Sequence, residues 1–284
     1  MKRVMDWDLL RQVSRSFYLS LRFLPKPVRE TLALAYLLAR ASDTLADDLA
    51  ATPEDRLKML REFAAGNWDA AWLTDQDKRS LGEGERRLVD GIPLLLNHLS
   101  QHEDADLIRE VLGTIIAGQV MDIERFSLHQ GIVLSPEELD DYTYRVAGSV
   151  GQFWTRLCFR RIPRVSNFPE EKMIRLGIGY GKGLQLVNIL RDRTADLKNG
   201  REYFLQNAFQ DLVVQARALL NEGREYAFAL RGIRLRFCCL LPYALGIQTL
   251  QLIRQDSDTM PVRVSRATVY RAMLRCFFAA CMGH

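Results

Sequence analysis

Apolar positions recur along this chain with a helical period almost without a break, and no stretch alternates in the manner of a strand. A first helix is predicted over Trp7–Phe23, ending at Leu24-Pro25, and a second from Pro27 to about Leu49. Thr52-Pro53-Glu54-Asp55 opens a third, with the threonine as N-cap. The polar stretch Gly66–Gly84 reads as a loop. Further helices are predicted over Glu85–Ser100, Asp104–Leu128, Pro136–Arg161, Glu170–Lys198, Asp211–Gly232, Leu235–Ile253 and Arg266–Ala280. Ser135-Pro136-Glu137-Glu138 is a second clear start signal. No linker rich in Pro, Gly or Ser divides the chain, so the expectation is all-α: one domain over residues 1–284, built of about ten helices.

Composition agrees. Apolar residues make up 48% and charged residues 26%, which excludes disorder. A net charge of +4 is too small to argue for nucleic acid, and none is expected as a partner. Five cysteines with no CxxC pair exclude a cysteine zinc site and suit a reducing cytoplasm. Residues Met1–Arg15 carry acids and no apolar run, unlike a secretory leader. Phe237–Leu252 contains Pro242, Gln248 and Gln251 and is shorter than the roughly 20 apolar residues of a membrane span, so it reads as a buried helix.

Two acidic clusters change the picture. Asp43 and Asp47 are spaced i, i+4 at the end of an apolar run, Thr31–Ala39. Asn188, Asp192 and Asp196 continue the same spacing over two turns, with Gln185 near their stripe and Arg191 and Arg193 beside it. Carboxylates on core helices need a cation or strong donors. Hard oxygen donors suit Mg2+, which uses one or two carboxylates plus substrate phosphates. Two facing sets could hold a diphosphate and stabilise it as a leaving group, and an apolar interior would protect the carbocation left behind. Ser14-Arg15-Ser16-Phe17 and Arg40 offer hydroxyl and guanidinium groups to phosphate oxygens. Gly177, Gly179, Gly181 and Gly183 match neither a Walker loop nor a dinucleotide fingerprint; they fit close helix packing or a backbone kept bare beside a long ligand.

These pieces, in this order, resemble the squalene and phytoene synthase family. The resemblance runs from about residue 14 to residue 266. It is carried by Ser14-Arg15-Ser16-Phe17, Asp43-Thr44-Leu45-Ala46-Asp47-Asp48, Tyr142 with Val146-Ala147-Gly148, Asn188 through Asp196, and Gly200-Arg201-Glu202-Tyr203-Phe204. It implies an isoprenoid synthase helical bundle around a central apolar cavity. It implies that two farnesyl diphosphates condense head to head through presqualene diphosphate to squalene, with Mg2+ and NADPH as cofactors. Asp43, Asp47, Asn188, Asp192 and Asp196 would be the Mg2+-diphosphate positions, and Tyr142 would steer proton removal. Ser14, Arg15, Ser16, Tyr36, Arg40, Gln185 and Arg191 would contact substrate or cofactor.

The family also contains enzymes that stop at presqualene diphosphate, dehydrosqualene or phytoene without a reductive step, and these are the alternative. Ala46 stands where eukaryotic squalene synthases often carry another acid, and Pro261–Arg266 loosely matches their basic NADPH segment. A non-catalytic relative would have lost the acidic motifs, and both are present. The remaining expectations are a monomer or weak dimer, located in the cytoplasm, with peripheral contact at the inner face of the membrane. Tyr270–Met282, with Arg271 and Arg275 beside Leu274, Phe277 and Phe278, is the segment suited to lie on a bilayer.

Overall fold

The computed structural model describes residues 6–14, 17–128, 133–253 and 264–282. It is 82% helical, with no strand among the described residues. The chain forms two compact units, residues 1–128 and 129–284.

The first unit comprises α1 (Trp7–Ser14), α2 (Phe17–Phe23), α3 (Lys26–Asp43), α4 (Pro53–Ala64), α5 (Asp75–Ser80), α6 (Glu83–Asp90), α7 (Ile92–Ser100) and α8 (Ala105–Asp122). Its centre is α3, which packs against α1, α2, α6, α7 and α8. Pro27 sits in the first turn of α3, where its missing N–H costs nothing. Val28, Leu34, Leu37, Leu38 and Ala41 of α3 are fully buried. Thr52 caps α4 by accepting from the Asp55 N–H, as its sequence predicts.

The stretch 66–84 is not the loop its polarity suggests. It holds a 3-10 turn (Ala70–Trp72), α5 and the start of α6. The encoding signal is a capping box: Thr74 accepts from the Asp77 N–H, and the Asp77 carboxylate accepts from the Thr74 N–H at 2.9 Å and hydroxyl at 2.7 Å. A helix of six residues has too few turns to display an amphipathic period. The helix predicted over Glu85–Ser100 is likewise two, because the chain turns at Gly91 and Pro93 restarts α7.

The second unit comprises α9 (Pro136–Thr143), α10 (Ser149–Arg161), α11 (Glu170–Lys198), α12 (Phe209–Ala229), α13 (Ile233–Leu252) and α14 (Arg266–Met282). Ser135 and Glu138 form the capping box that starts α9. The 29-residue α11 is the unit's axis, with α10 and α12 against it. Its four glycines explain how. A Cβ on Gly151 of α10 would lie 1.9 Å from the Gly177 carbonyl oxygen, and one on Gly181 would lie 2.2 Å from that of Ala147. Gly179 and Gly183 instead meet Glu222 and Leu219 of α12. Spacing by two places successive glycines on opposite sides of a helix and spacing by four on the same side. Both sides of α11 therefore admit a neighbour closely, which is the packing reading of this run.

Three helices pass into wider π turns: α3 into Thr44–Asp48, α8 into Ile123–Leu128, and α9 into Tyr144–Gly148. Such turns insert an i→i+5 register and are frequent at functional sites. Periodicity does not foretell them. Among the described residues, no helix is long and apolar enough to cross a membrane.

Candidate active site

In the first unit, Tyr36, Arg40, Asp43 and Asp47 follow one another at helical spacing on the only strip of the α3 C-terminal half that is not buried. Leu37, Leu38, Ala41, Ser42, Thr44, Leu45 and Ala46 between them are all buried. The π turn keeps Asp47 about one turn from Asp43, so the pair stays on this strip. The Gln119 side chain on α8 donates from Nε2 to Asp43 Oδ1 at 2.5 Å. The Gln119 Oε1 atom is buried with no hydrogen-bond partner, as is the Thr44 hydroxyl. Arg56 donates to the Ala46 carbonyl at 2.6 Å, which ties the π turn to α4. Arg40 donates to Glu85 of α6 at 3.3 Å, and the Tyr36 hydroxyl donates to the Val13 carbonyl at 3.3 Å. Ser14 is buried, and its hydroxyl donates back to Leu10 of its own helix at 2.5 Å. Arg15 and Ser16 lie outside the described residues.

In the second unit, Gln185, Asn188, Asp192 and Asp196 form the half-buried stripe of α11, with Leu186, Val187, Ile189 and Leu190 buried between them. Asn188 Nδ2 lies 3.4 Å from Gln185 Oε1 and donates to it. That leaves the Asn188 carbonyl oxygen as the group it can offer a cation. Arg191 grips Asp192 with both arms of its fork, Nε at 2.8 Å and Nη2 at 2.5 Å. That bond, with the nearby Asp192 and Asp196 charges, raises the Arg191 pKa further above its usual value, against the effect of burial. Gly200, at φ +76°, reverses the chain after α11, and the Arg201 N–H caps the Asp196 carbonyl at 2.8 Å. The reversal lays Arg201–Phe204 beside the helix end, where a small cleft is lined by Arg193, Asp196, Arg201, Tyr203 and Phe204 among others. The Arg193 guanidinium sits over the Phe204 ring at 5.6 Å.

Tyr142, in the last turn of α9, is buried against Tyr203. The rings stack at 5.2 Å with an interplanar angle of 29°, and the hydroxyls are 3.3 Å apart. Gln119 and the partnership of Tyr203 with Tyr142 escape a reading by motif. For Gln119 a signal existed: it and Asp122 are polar residues three apart on the otherwise apolar buried face of α8. Residues 261–263 of the basic segment lie outside the described residues.

The donor set is all hard oxygen. Among the described residues, no three His, Cys, Asp or Glu side chains gather closely enough to hold an ion unaided. An ion here would complete its shell from amide oxygens, water or a ligand's phosphates, which is how Mg2+ is bound. The unpartnered Gln119 oxygen beside Asp43 is one such amide group. The residues fit Mg2+.

The model of the squalene/phytoene synthase family matches residues 10–205 and 202–272. A bifunctional lycopene cyclase/phytoene synthase of Leptosphaeria maculans is 31% identical over 228 residues, 78% of this chain and 38% of its own length. Squalene synthase ERG9 of Saccharomyces cerevisiae is 27% identical over 231 residues, 77% of this chain and 49% of its own. Squalene synthase of Yarrowia lipolytica is 24% identical over 91% of this chain and 63% of its own length. The chain thus spans less than two thirds of each of these relatives. Among solved structures, the complex of TcSQS with the ligand E5700 superposes with a TM-score of 0.78 at 22% identity, covering 98% of this chain and 89% of that one. Squalene synthase HpnC from Alicyclobacillus acidocaldarius gives 0.57 at 18% identity, over 88% and 93%. At these identities the structural likeness speaks for the fold.

Proposed function

This chain belongs to the squalene/phytoene synthase family, and from that premise we propose that it condenses two farnesyl diphosphates head to head. The family match runs through both compact units, which supports reading residues 1–284 as one isoprenoid synthase domain. The observation that carries the proposal is the pair of polar stripes, Tyr36–Arg40–Asp43–Asp47 and Gln185–Asn188–Asp192–Asp196, the first interleaved with buried Leu37, Leu38, Ala41, Leu45 and Ala46 and the second with buried Leu186, Val187, Ile189 and Leu190.

In the reaction, one substrate loses diphosphate by cleavage of its C1–O bond. Its C1 joins the double bond of the other substrate, and loss of a proton closes the cyclopropane of presqualene diphosphate. Asp43, Asp47, Asn188, Asp192 and Asp196 would hold Mg2+, which supplies Lewis-acid stabilisation of the departing diphosphate. Arg40 and Arg191 are the cations that can turn from Glu85 and Asp192 to phosphate oxygens, a fork geometry suited to either partner. The Tyr142–Tyr203 hydroxyl pair offers a phenol oxygen for the departing proton in surroundings from which water is excluded.

The finer reading is squalene, with NADPH as hydride source. Arg40 and Arg191, the described cations suited to its phosphates, would have to exchange the carboxylates of Glu85 and Asp192 for them. The second reading is phytoene or dehydrosqualene without reduction. It is favoured by the 31% identity to a phytoene synthase-bearing relative, against 27% to a squalene synthase.

Incubation of the pure protein with farnesyl diphosphate and Mg2+, with and without NADPH, tests both. Pyrophosphate release that depends on Mg2+ is expected, with squalene formed only when NADPH is present. A hydrocarbon product independent of NADPH, or turnover of the C20 diphosphate alone, selects the second reading. No pyrophosphate from either substrate overturns the condensation.

A further inference from the structure

We infer that α14 is a membrane-docking helix that seats on an anionic lipid surface. Its packed side is narrow and regular: Ala272, Cys276 and Ala280, four apart, are its buried residues, and α13 is its main neighbour. Two bonds fix it there, from Arg236 to the Ala280 carbonyl at 3.4 Å and from the Cys276 thiol to the Leu240 carbonyl at 3.4 Å. The opposite side carries Tyr270, Leu274, Phe277, Phe278 and Met282, spaced i, i+4, i+7, i+8 and i+12, each at least 50% exposed. Scattered exposed apolar residues are ordinary, but five at helical spacing on one strip form a face. Phe277 rests edge-on against buried Phe237 of α13, so the stripe stands on a packed base.

Charge selects the occupant. On a helical projection, Arg266 lies on one flank of the stripe, Arg275 on the other, and Arg271 within the stripe near the Arg275 edge; all three are exposed. Arg234 and Arg236 add to the positive charge of α13, and neither α13 nor α14 contains an aspartate or glutamate. Aromatic and aliphatic groups bordered by arginines, with no acid, match the boundary between lipid headgroups and acyl chains in an anionic leaflet. A second copy of the chain fits poorly, because it would set arginine flank against arginine flank with no carboxylate between them. The helix has 17 residues and arginines along it, so it lies on the bilayer and does not cross it.

The test is cosedimentation of the full chain with vesicles of phosphatidylcholine, with and without phosphatidylglycerol. It is scored without substrate, so its failure leaves the condensation reading untouched. The protein is expected to bind the anionic vesicles preferentially, and added salt should weaken that binding. The Phe277→Ser/Phe278→Ser variant, with folding checked by circular dichroism, should bind about tenfold or more weakly. Arg271→Gln/Arg275→Gln, at exposed positions that do not touch the α13 packing, should lose the preference for anionic lipid. Absence of the folded wild-type protein from both vesicle pellets overturns the inference, as does binding unchanged in both variants. A concentration-dependent dimer abolished by the phenylalanine substitutions also overturns it and assigns the face to a second copy.

Discussion

The two acidic stripes carry the same kind of side chain but are held in different ways. Asp43 takes a hydrogen bond from the neutral amide of Gln119, which comes from another helix 76 residues away. Asp192 is clamped by the guanidinium of Arg191, its neighbour in sequence. The first stripe ends in a π turn, whereas the second lies on regular α-helix whose far end is set by a glycine reversal. A neutral donor orients a carboxylate without offsetting its charge, whereas a guanidinium does both. Asp43 thus meets a neutral amide where Asp192 meets a guanidinium, a contrast that variants of the two donors can probe.

The largest expected effect tests whether the two stripes serve one reaction. Asp43→Ala and Asp192→Ala should each lower kcat/KM by about 10²-fold or more. The double variant should lose little beyond the worse single, because groups acting as a unit are non-additive. Full additivity in steady-state assays would separate the stripes into independent roles.

Next comes the frame beneath the second stripe. Gly151→Ala drives a methyl into the Gly177 carbonyl of α11 and should cost about 1–3 kcal/mol, read as a lowered denaturation midpoint. The first unit lacks that helix pair, so hydrogen exchange should report the loss in residues 129–284.

The contrast between the two donors is sharpened by a smaller pair of changes. Gln119→Leu should raise the Mg2+ concentration for half-maximal activity by about tenfold and leave substrate KM nearly unchanged. Arg191→Gln should do the reverse, raising KM by about tenfold. Identical profiles for the two variants would erase the distinction.

The mildest handle is pH, and it separates the units. In the first, burial chiefly, and the neighbouring His102, lower the pKa of His98, with Glu30 opposing. The folded state therefore binds that proton less readily than the unfolded chain. The stability contributed by neutral His98 is present above the ordinary histidine range and is lost as pH falls below about 6.5. A small decline in the melting temperature between pH 7 and pH 5 is expected, and His98→Gln should flatten it. In the second unit, burial pushes the Cys238 thiol up to about 12 and Cys276 to about 11, so neither titrates in that window.

Much of this was legible in the residues. Capping signals at Thr52 and Ser135 located helix starts because a cap is a local hydrogen bond. The i, i+4 acids declared their shared faces because helical periodicity is a property of the backbone alone. The α5 helix was missed because its signal lies in one capping box and not in an apolar period. Gln119 was missed because its meaning depends on which helix lies beside α8, and nothing local to residue 119 says that it is α3.

The sequence by itself determined the helical class, the two acidic faces and the family, since these follow from spacing and residue type along a continuous chain. Tertiary structure decided which donor holds each carboxylate, that Tyr142 meets Tyr203, that the α11 glycines serve two neighbours, and which side of α14 is left uncovered. Those are contacts between segments far apart in the chain, and they acquire an energy only when packing brings the segments within a few ångströms.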